Sequence, residues 1–88
     1  MEIEGEIRDF LARNLLYRED GFPHGDDASL VDEGVVDSVG VLELVNFVAE
    51  RFGIAVSPAE ITPENFDSVS RLARFVRARS APDIRTEP

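Results

Sequence analysis

Asp37-Ser38 opens the apolar run Val39-Gly40-Val41-Leu42-Glu43-Leu44, and Ser38 is the residue best placed to do chemistry. The stretch Glu19–Asp37 before it holds seven acids and no Lys or Arg. A hydroxyl at a helix start is exposed. A phosphate attached there would sit at the positive end of the helix dipole, near free backbone N–H groups. That chemistry is modification. Catalysis by the serine would need a base beside it, and the one histidine, His24, lies in a Gly/Pro-rich stretch. Val36-Asp37-Ser38-Val39-Gly40 also has Val where a nucleophile elbow has its first glycine, and no strand precedes it. The acids do not form a calcium loop. An EF-hand aligned on Asp20 places Gly25 correctly, but Phe22 and His24 fall at ligand positions and Val31 at the closing glutamate. No catalytic or metal-ligating residue is assigned.

The chain of 88 residues is one small domain with a modest core. Its hydrophobic content of 43% is enough for a globular fold. Without cysteine there is no disulfide framework and no thiolate metal site. No apolar run reaches membrane-spanning length and Met1 starts no signal-peptide pattern, so a soluble cytoplasmic protein is expected. Residues 1–67 hold sixteen acids against four arginines, residues 68–88 two acids against five arginines, and lysine is absent. The net charge of −9 repels nucleic acid and favours basic protein partners, or simply keeps the domain soluble.

These residues must be positioned by helices, since no convincing strand can be read. Ile3, Ile7, Phe10, Leu11 and Leu15 form a helical stripe over about residues 2–17. Residues 18–36 form a long connection broken by Gly21, Pro23 and Gly25, with Leu30, Val35 and Val36 as apolar anchors. The second helix spans about Ser38 to Phe52, capped by Asp37 or Ser38 and ended by Gly53. At about 100° per residue, Val41, Leu44, Val45, Val48 and Phe52 share one face, with Leu42 and Ala49 at its edge. Gly40, Glu43, Asn46, Glu50 and Arg51 lie opposite, as does an exposed Val39. Ser57-Pro58-Ala59-Glu60 is a capping box that starts a short third helix, interrupted by Thr62-Pro63. Asp67-Ser68 begins the last helix, with Val69, Leu72, Ala73 and Val76 as its stripe. The expectation is an all-α four-helix bundle with three longer helices, one short helix and a long first loop. The domain covers residues 1–79, and residues 80–88 form a disordered tail.

Gly34-Val35-Val36-Asp37-Ser38-Val39, followed by Glu43-Leu44 and Phe52-Gly53, resembles the attachment motif of acyl and peptidyl carrier proteins. The resemblance runs from about Ile3 to Val76. It includes the acidic loop with Ser29-Leu30 and the turn Glu60-Ile61 before Asp67-Ser68-Val69. It implies that Ser38 accepts a 4′-phosphopantetheine arm from coenzyme A, delivered by a phosphopantetheinyl transferase. The arm's thiol would carry an acyl or aminoacyl group as a thioester, and the carrier itself would perform no chemistry. Asp37, Val39, Leu42 and Glu43 would form a mixed acidic and apolar recognition patch, although Leu42 could instead belong to the core.

The chain departs from fatty-acid-synthesis carriers, in which Leu usually follows the serine and helix two is rich in acids. Here Val39-Gly40 follows, helix two keeps only Glu43 and Glu50, and Asn46 stands where an apolar contact is common. Asp-Ser-x-Gly and Pro-Glu-Asn-Phe-Asp-Ser are similar to D-alanyl and other stand-alone aminoacyl carriers. The resemblance therefore implies a discrete, monomeric carrier of specialised metabolism. Its partners would be an acyl- or aminoacyl-loading ligase and downstream enzymes, with no nucleic acid and no membrane insertion. A primary fatty-acid carrier and an unmodified acidic helical interaction module are the alternatives. Val48, Phe52, Ile54 and Ile61 could line a small cleft or be plain core.

Overall fold

A computed structural model describes residues 3–17 and 19–80. These form four helices and, among the described residues, no strand. Helix α1 starts as an α-helix over Ile3–Phe10 and continues as a π-turn over Leu11–Leu15. Helix α2 is Ser38–Phe52, α3 is the single turn Pro63–Phe66, and α4 is Val69–Ser80. The all-α expectation of three longer helices, one short helix and a long first loop holds. The anticipated start at Glu2 lies outside the described residues. Of the tail expected over residues 80–88, Ser80 is instead the last residue of α4, and residues 81–88 lie outside the described residues.

Helix α4 is the hub and touches α1, α2 and α3. Its stripe Val69, Leu72, Ala73 and Val76 is fully buried, as the spacing requires. Ile7 and Leu11 meet it from α1, Leu44 and Val48 from α2, and Phe66 from α3. Phe75, outside the expected stripe, is also buried and tilts against Phe66 with ring centroids 5.5 Å apart. Phe47 is a second aromatic that the face assignment passes over. Its ring stacks on Phe10 at 4.2 Å and closes the α1–α2 seam.

Three local expectations change. Helix α1 does not run regularly to Tyr17. The Leu16 N–H reaches back five residues to the Leu11 carbonyl, at 3.0 Å, and Tyr17 then takes φ 55°. A π-turn inserts one residue relative to the α-helical repeat and rotates the residues after it, so that Leu15 comes to lie against the start of α2. Thr62-Pro63 does not interrupt the third helix but starts it, with proline in the first turn, where no N–H is needed. The Ser57–Glu60 capping box instead closes a 3₁₀ turn over Pro58–Glu60, in which the Glu60 carboxylate accepts from the Ser57 N–H at 3.0 Å. Gly40, expected on the polar side, is buried.

Arginine–carboxylate pairs join the elements at their rims. Arg77 of α4 forks onto Glu4 of α1 at 2.7 and 2.8 Å, Arg51 of α2 onto Glu6, and Arg79 of α4 onto Glu60. Arg8 grips Asp26 of the loop at 2.7 and 2.9 Å. The Arg77 fork, helped by a backbone hydrogen bond within Glu4 itself, lowers the Glu4 carboxyl from 4.5 to about 2. A carboxyl depressed by folding adds stability above its unfolded value, and that stability is lost as pH falls towards the folded value. Glu4→Gln is therefore expected to be less stable than the parent near neutral pH. The gap should close between pH 4.5 and about 2 in urea titrations at stepped pH. A gap of constant size would refute this coupling.

Candidate functional site

The long loop delivers Ser38 to its place. Leu30 is wholly buried, and its carbonyl accepts the N–H groups of Val35 and Val36 at 2.9 and 3.2 Å. Val35 and Val36 are buried in turn, so the three apolar anchors read from the sequence pin this loop to the core. The chain then emerges at Asp37 in an extended conformation, with φ −118° and ψ −169°. Asp37 is the helix cap, which decides between the two candidates. Its Oδ1 accepts from the Val39 N–H at 3.1 Å and the Gly40 N–H at 2.7 Å. Ser38 is the first residue of α2 and is exposed.

This capping corrects one expectation about the serine. Two of the N–H groups at the α2 start already point at Asp37 and are not free for a phosphate. What remains is the field of a 15-residue helix with no acid in its first turn. The Asp37 charge is turned inward onto those N–H groups, which offsets its repulsion of a neighbouring anion. Gly40 leaves room for this arrangement. A Cβ there would lie 3.3 Å from Asp37 Oδ1, and within 4 Å of Val36 and Leu15. Residues present at the serine thus fit a phosphodiester on Ser38 Oγ. Asp37→Ala should cost about 1–2 kcal/mol of stability, measured by urea unfolding. A change under about 0.3 kcal/mol would mean that the cap is idle.

Val39 and Leu42 are 65% and 59% exposed, and Glu43 is exposed beside them. Leu42 therefore does not belong to the core. Glu43, Asp37 and Val39 also border a mainly polar depression of about 250 Å³, closed on its far side by Asn14, Leu15 and Tyr17. A second, mainly apolar cleft of about 370 Å³ opens between the loop, α2 and α3. Val31, Val36, Val41, Ile61, Pro63 and Phe66 are its apolar lining, with Ser29, Asp32, Thr62 and Asp67 as polar members. Of the four candidate lining residues only Ile61 is there. Val48 is wholly buried in the core, and Phe52 packs edge-on against Phe47. The true lining comes largely from the loop and α3, whose approach to α2 no periodicity encodes.

His24 sits edge-on to Phe22, with Nδ1 3.6 Å from Glu33. Among the described residues, no group of three or more His, Asp or Glu converges as a metal site. Nor is any described helix long and apolar enough to cross a membrane.

A small helical bundle that presents a capped, exposed serine at the start of its longest helix is the architecture of a carrier domain. Residues 6–76 match the family described as phosphopantetheine attachment site. The chain is 40% identical over 55 residues to the D-alanyl carrier protein of Abiotrophia defectiva, covering 62% of this chain and 70% of that protein. It is 31% identical over 72 residues to the D-alanyl carrier protein of Bacillus velezensis, covering 82% and 90%. It is 40% identical over 55 residues to aminoacyl carrier protein 1 of Bradyrhizobium diazoefficiens, covering 62% and 60%. The chain belongs to the phosphopantetheine-attachment family. It is a carrier protein with a covalent 4′-phosphopantetheine arm and is not itself an enzyme.

Proposed function

We propose that Ser38 is the residue that bears the arm, and that the protein presents aminoacyl or short acyl cargo to the enzymes of a specialised biosynthetic route. The observation that carries this reading is the exposed Ser38 hydroxyl at the start of α2, beside a carboxylate already spent on the helix cap. Two of the other serines have structural duties: the Ser29 hydroxyl donates to Asp67, and the buried Ser68 accepts from the Arg71 N–H. Ser38 Oγ attacks the phosphorus of coenzyme A that bears the pantetheine. A P–O bond forms as the pyrophosphate link to 3′-phosphoadenosine breaks, and the hydroxyl proton passes to a base of the transferase. When bound, the group supplies a terminal thiol on which cargo is carried.

The chain's own residues orient this event and recognise partners. Val39, Leu42 and Glu43 offer apolar and acidic contacts next to the serine, and Asp37 holds the helix start rigid. The overall charge of −9 attracts basic faces of a transferase, a loading ligase and later enzymes. The aminoacyl reading draws support from the D-alanyl and aminoacyl carrier relatives. It is also supported by Val39-Gly40 and the exposed Asn46 on α2, which depart from the fatty-acid pattern. The protein works as a soluble cytoplasmic monomer.

The test is incubation with coenzyme A and a broad-specificity phosphopantetheinyl transferase, followed by intact mass and peptide mapping. One arm on the peptide containing Ser38 is expected. No adduct, or an adduct elsewhere, would overturn the assignment. Loading assays with an adenylating ligase, offering D-alanine, other amino acids and fatty acids in turn, address the cargo. Turnover with long fatty acids alone would overturn the aminoacyl and short-acyl reading.

A further inference from the structure

We infer that Asp67, in the junction between α3 and α4 and far from Ser38 in the chain, is a positioning residue for arm attachment. The inference rests on Ser38 as the attachment residue. Asp67 reaches the loop with both its side chain and its backbone. Its carboxylate accepts the Ser29 hydroxyl at 2.7 Å and the Val31 N–H at 3.1 Å, while its carbonyl accepts the Leu30 N–H at 2.7 Å. The same Ser29 oxygen accepts the Asp32 N–H at 3.1 Å. The two peptide units flanking Leu30 are thus both held by one residue, 36 to 38 positions away.

Peptide planarity makes this hold directional. The Val31 N–H and the Leu30 carbonyl belong to one rigid trans unit and point in opposite directions. With the N–H fixed on Asp67, the carbonyl is aimed the other way, where it accepts the N–H groups of Val35 and Val36. Those residues lead directly into Asp37 and Ser38. A continuous relay therefore runs from the Asp67 carboxylate through the Leu30–Val31 peptide and Val35-Val36 to the helix start. Burial of Leu30 alone supplies cohesion but no direction, because apolar burial is non-directional. The hydrogen bonds to Asp67 set the angle at which the loop enters α2, and so where the Ser38 hydroxyl stands over a docked transferase. Among the described residues, no hydrogen bond or ion pair joins Asp67 to Ser38, Val39, Leu42 or Glu43, so partner affinity is left to the surface of α2.

The test is the steady-state rate of transferase action with Asp67→Ala, Asp67→Asn and Ser29→Ala as carrier substrates. A core truncation on α4, Val76→Ala, serves as a destabilised control. Misplacing the hydroxyl in a normally docked complex lowers kcat. Asp67→Ala is expected to lower it about tenfold, with KM for the carrier within about twofold of the parent. Asp67→Asn keeps a carbonyl acceptor for Val31 and should recover most of the rate, and Ser29→Ala should fall between. A variant that is merely less folded has fewer competent molecules, which raises apparent KM and spares kcat. Val76→Ala should behave in that way. The inference is overturned if Asp67→Ala follows the Val76→Ala pattern, or if its kcat matches the parent. Failure of the parent protein to be loaded at all would instead sink the Ser38 assignment, so the two failures are distinct.

Discussion

Ser38→Ala is expected to abolish arm attachment completely while leaving the fold intact. The mutation removes the only atom of that residue able to form the phosphoester. It removes nothing the fold relies on, because the helix cap belongs to Asp37. Alanine is a strong helix former, and position 38 is an exposed first helical residue. The stability change should therefore stay within about 0.5 kcal/mol. Intact mass after incubation with coenzyme A and transferase reads the first effect, and urea unfolding reads the second. A surviving adduct would show the wrong serine was chosen. Loss of the adduct with a loss of several kcal/mol would mean that Ser38 carries structure that its exposure does not reveal.

Leu30→Ala is expected to lower stability by about 3 kcal/mol. Such a cost is unusual for a residue in a connection between helices. It arises because Leu30 is as buried as the centre of α4, with no exposed surface. Truncation leaves a cavity in a core shared with Val35, Val36, Phe66 and Val69. A small domain has a total stability on the order of 5–10 kcal/mol, so a large share would go in one step. The urea midpoint should fall accordingly, with little change in its slope. By contrast, the neighbouring Val31 is 58% exposed, and Val31→Ala should cost under about 0.5 kcal/mol. Equal costs at the two positions would mean that the loop is not part of the core.

These two expectations separate short-range from long-range information in the chain. Helix α4 is legible because Val69, Leu72, Ala73 and Val76 recur at the helical repeat, and their burial follows from that spacing alone. Gly53 ends α2 for a similarly local reason. It adopts φ 68°, which a side chain would oppose, and the following Ile54 N–H turns back to the Ala49 carbonyl at 3.2 Å. Ser38 stands out because a polar hydroxyl opens an apolar helix after a run of acids. In each case the signal lies within a few neighbouring residues, the range over which backbone geometry and capping act.

Other features depend on which elements meet. Gly40 looks polar-facing on a helical wheel, yet the π-turn in α1 brings Leu15 against it, and Asp37 folds back over it. The apolar cleft takes its walls from Val31, Val41 and Phe66, which belong to three elements. Thr62-Pro63 reads from the sequence as a break in the third helix, yet it starts α3, whose Phe66 packs beneath α4. The identity of the serine is thus encoded locally. Its orientation depends on Asp67 meeting the Leu30–Val31 peptide from across the fold. Hydrogen bonds between residues so far apart leave no periodic trace, because they exist only once the core has brought their backbones together.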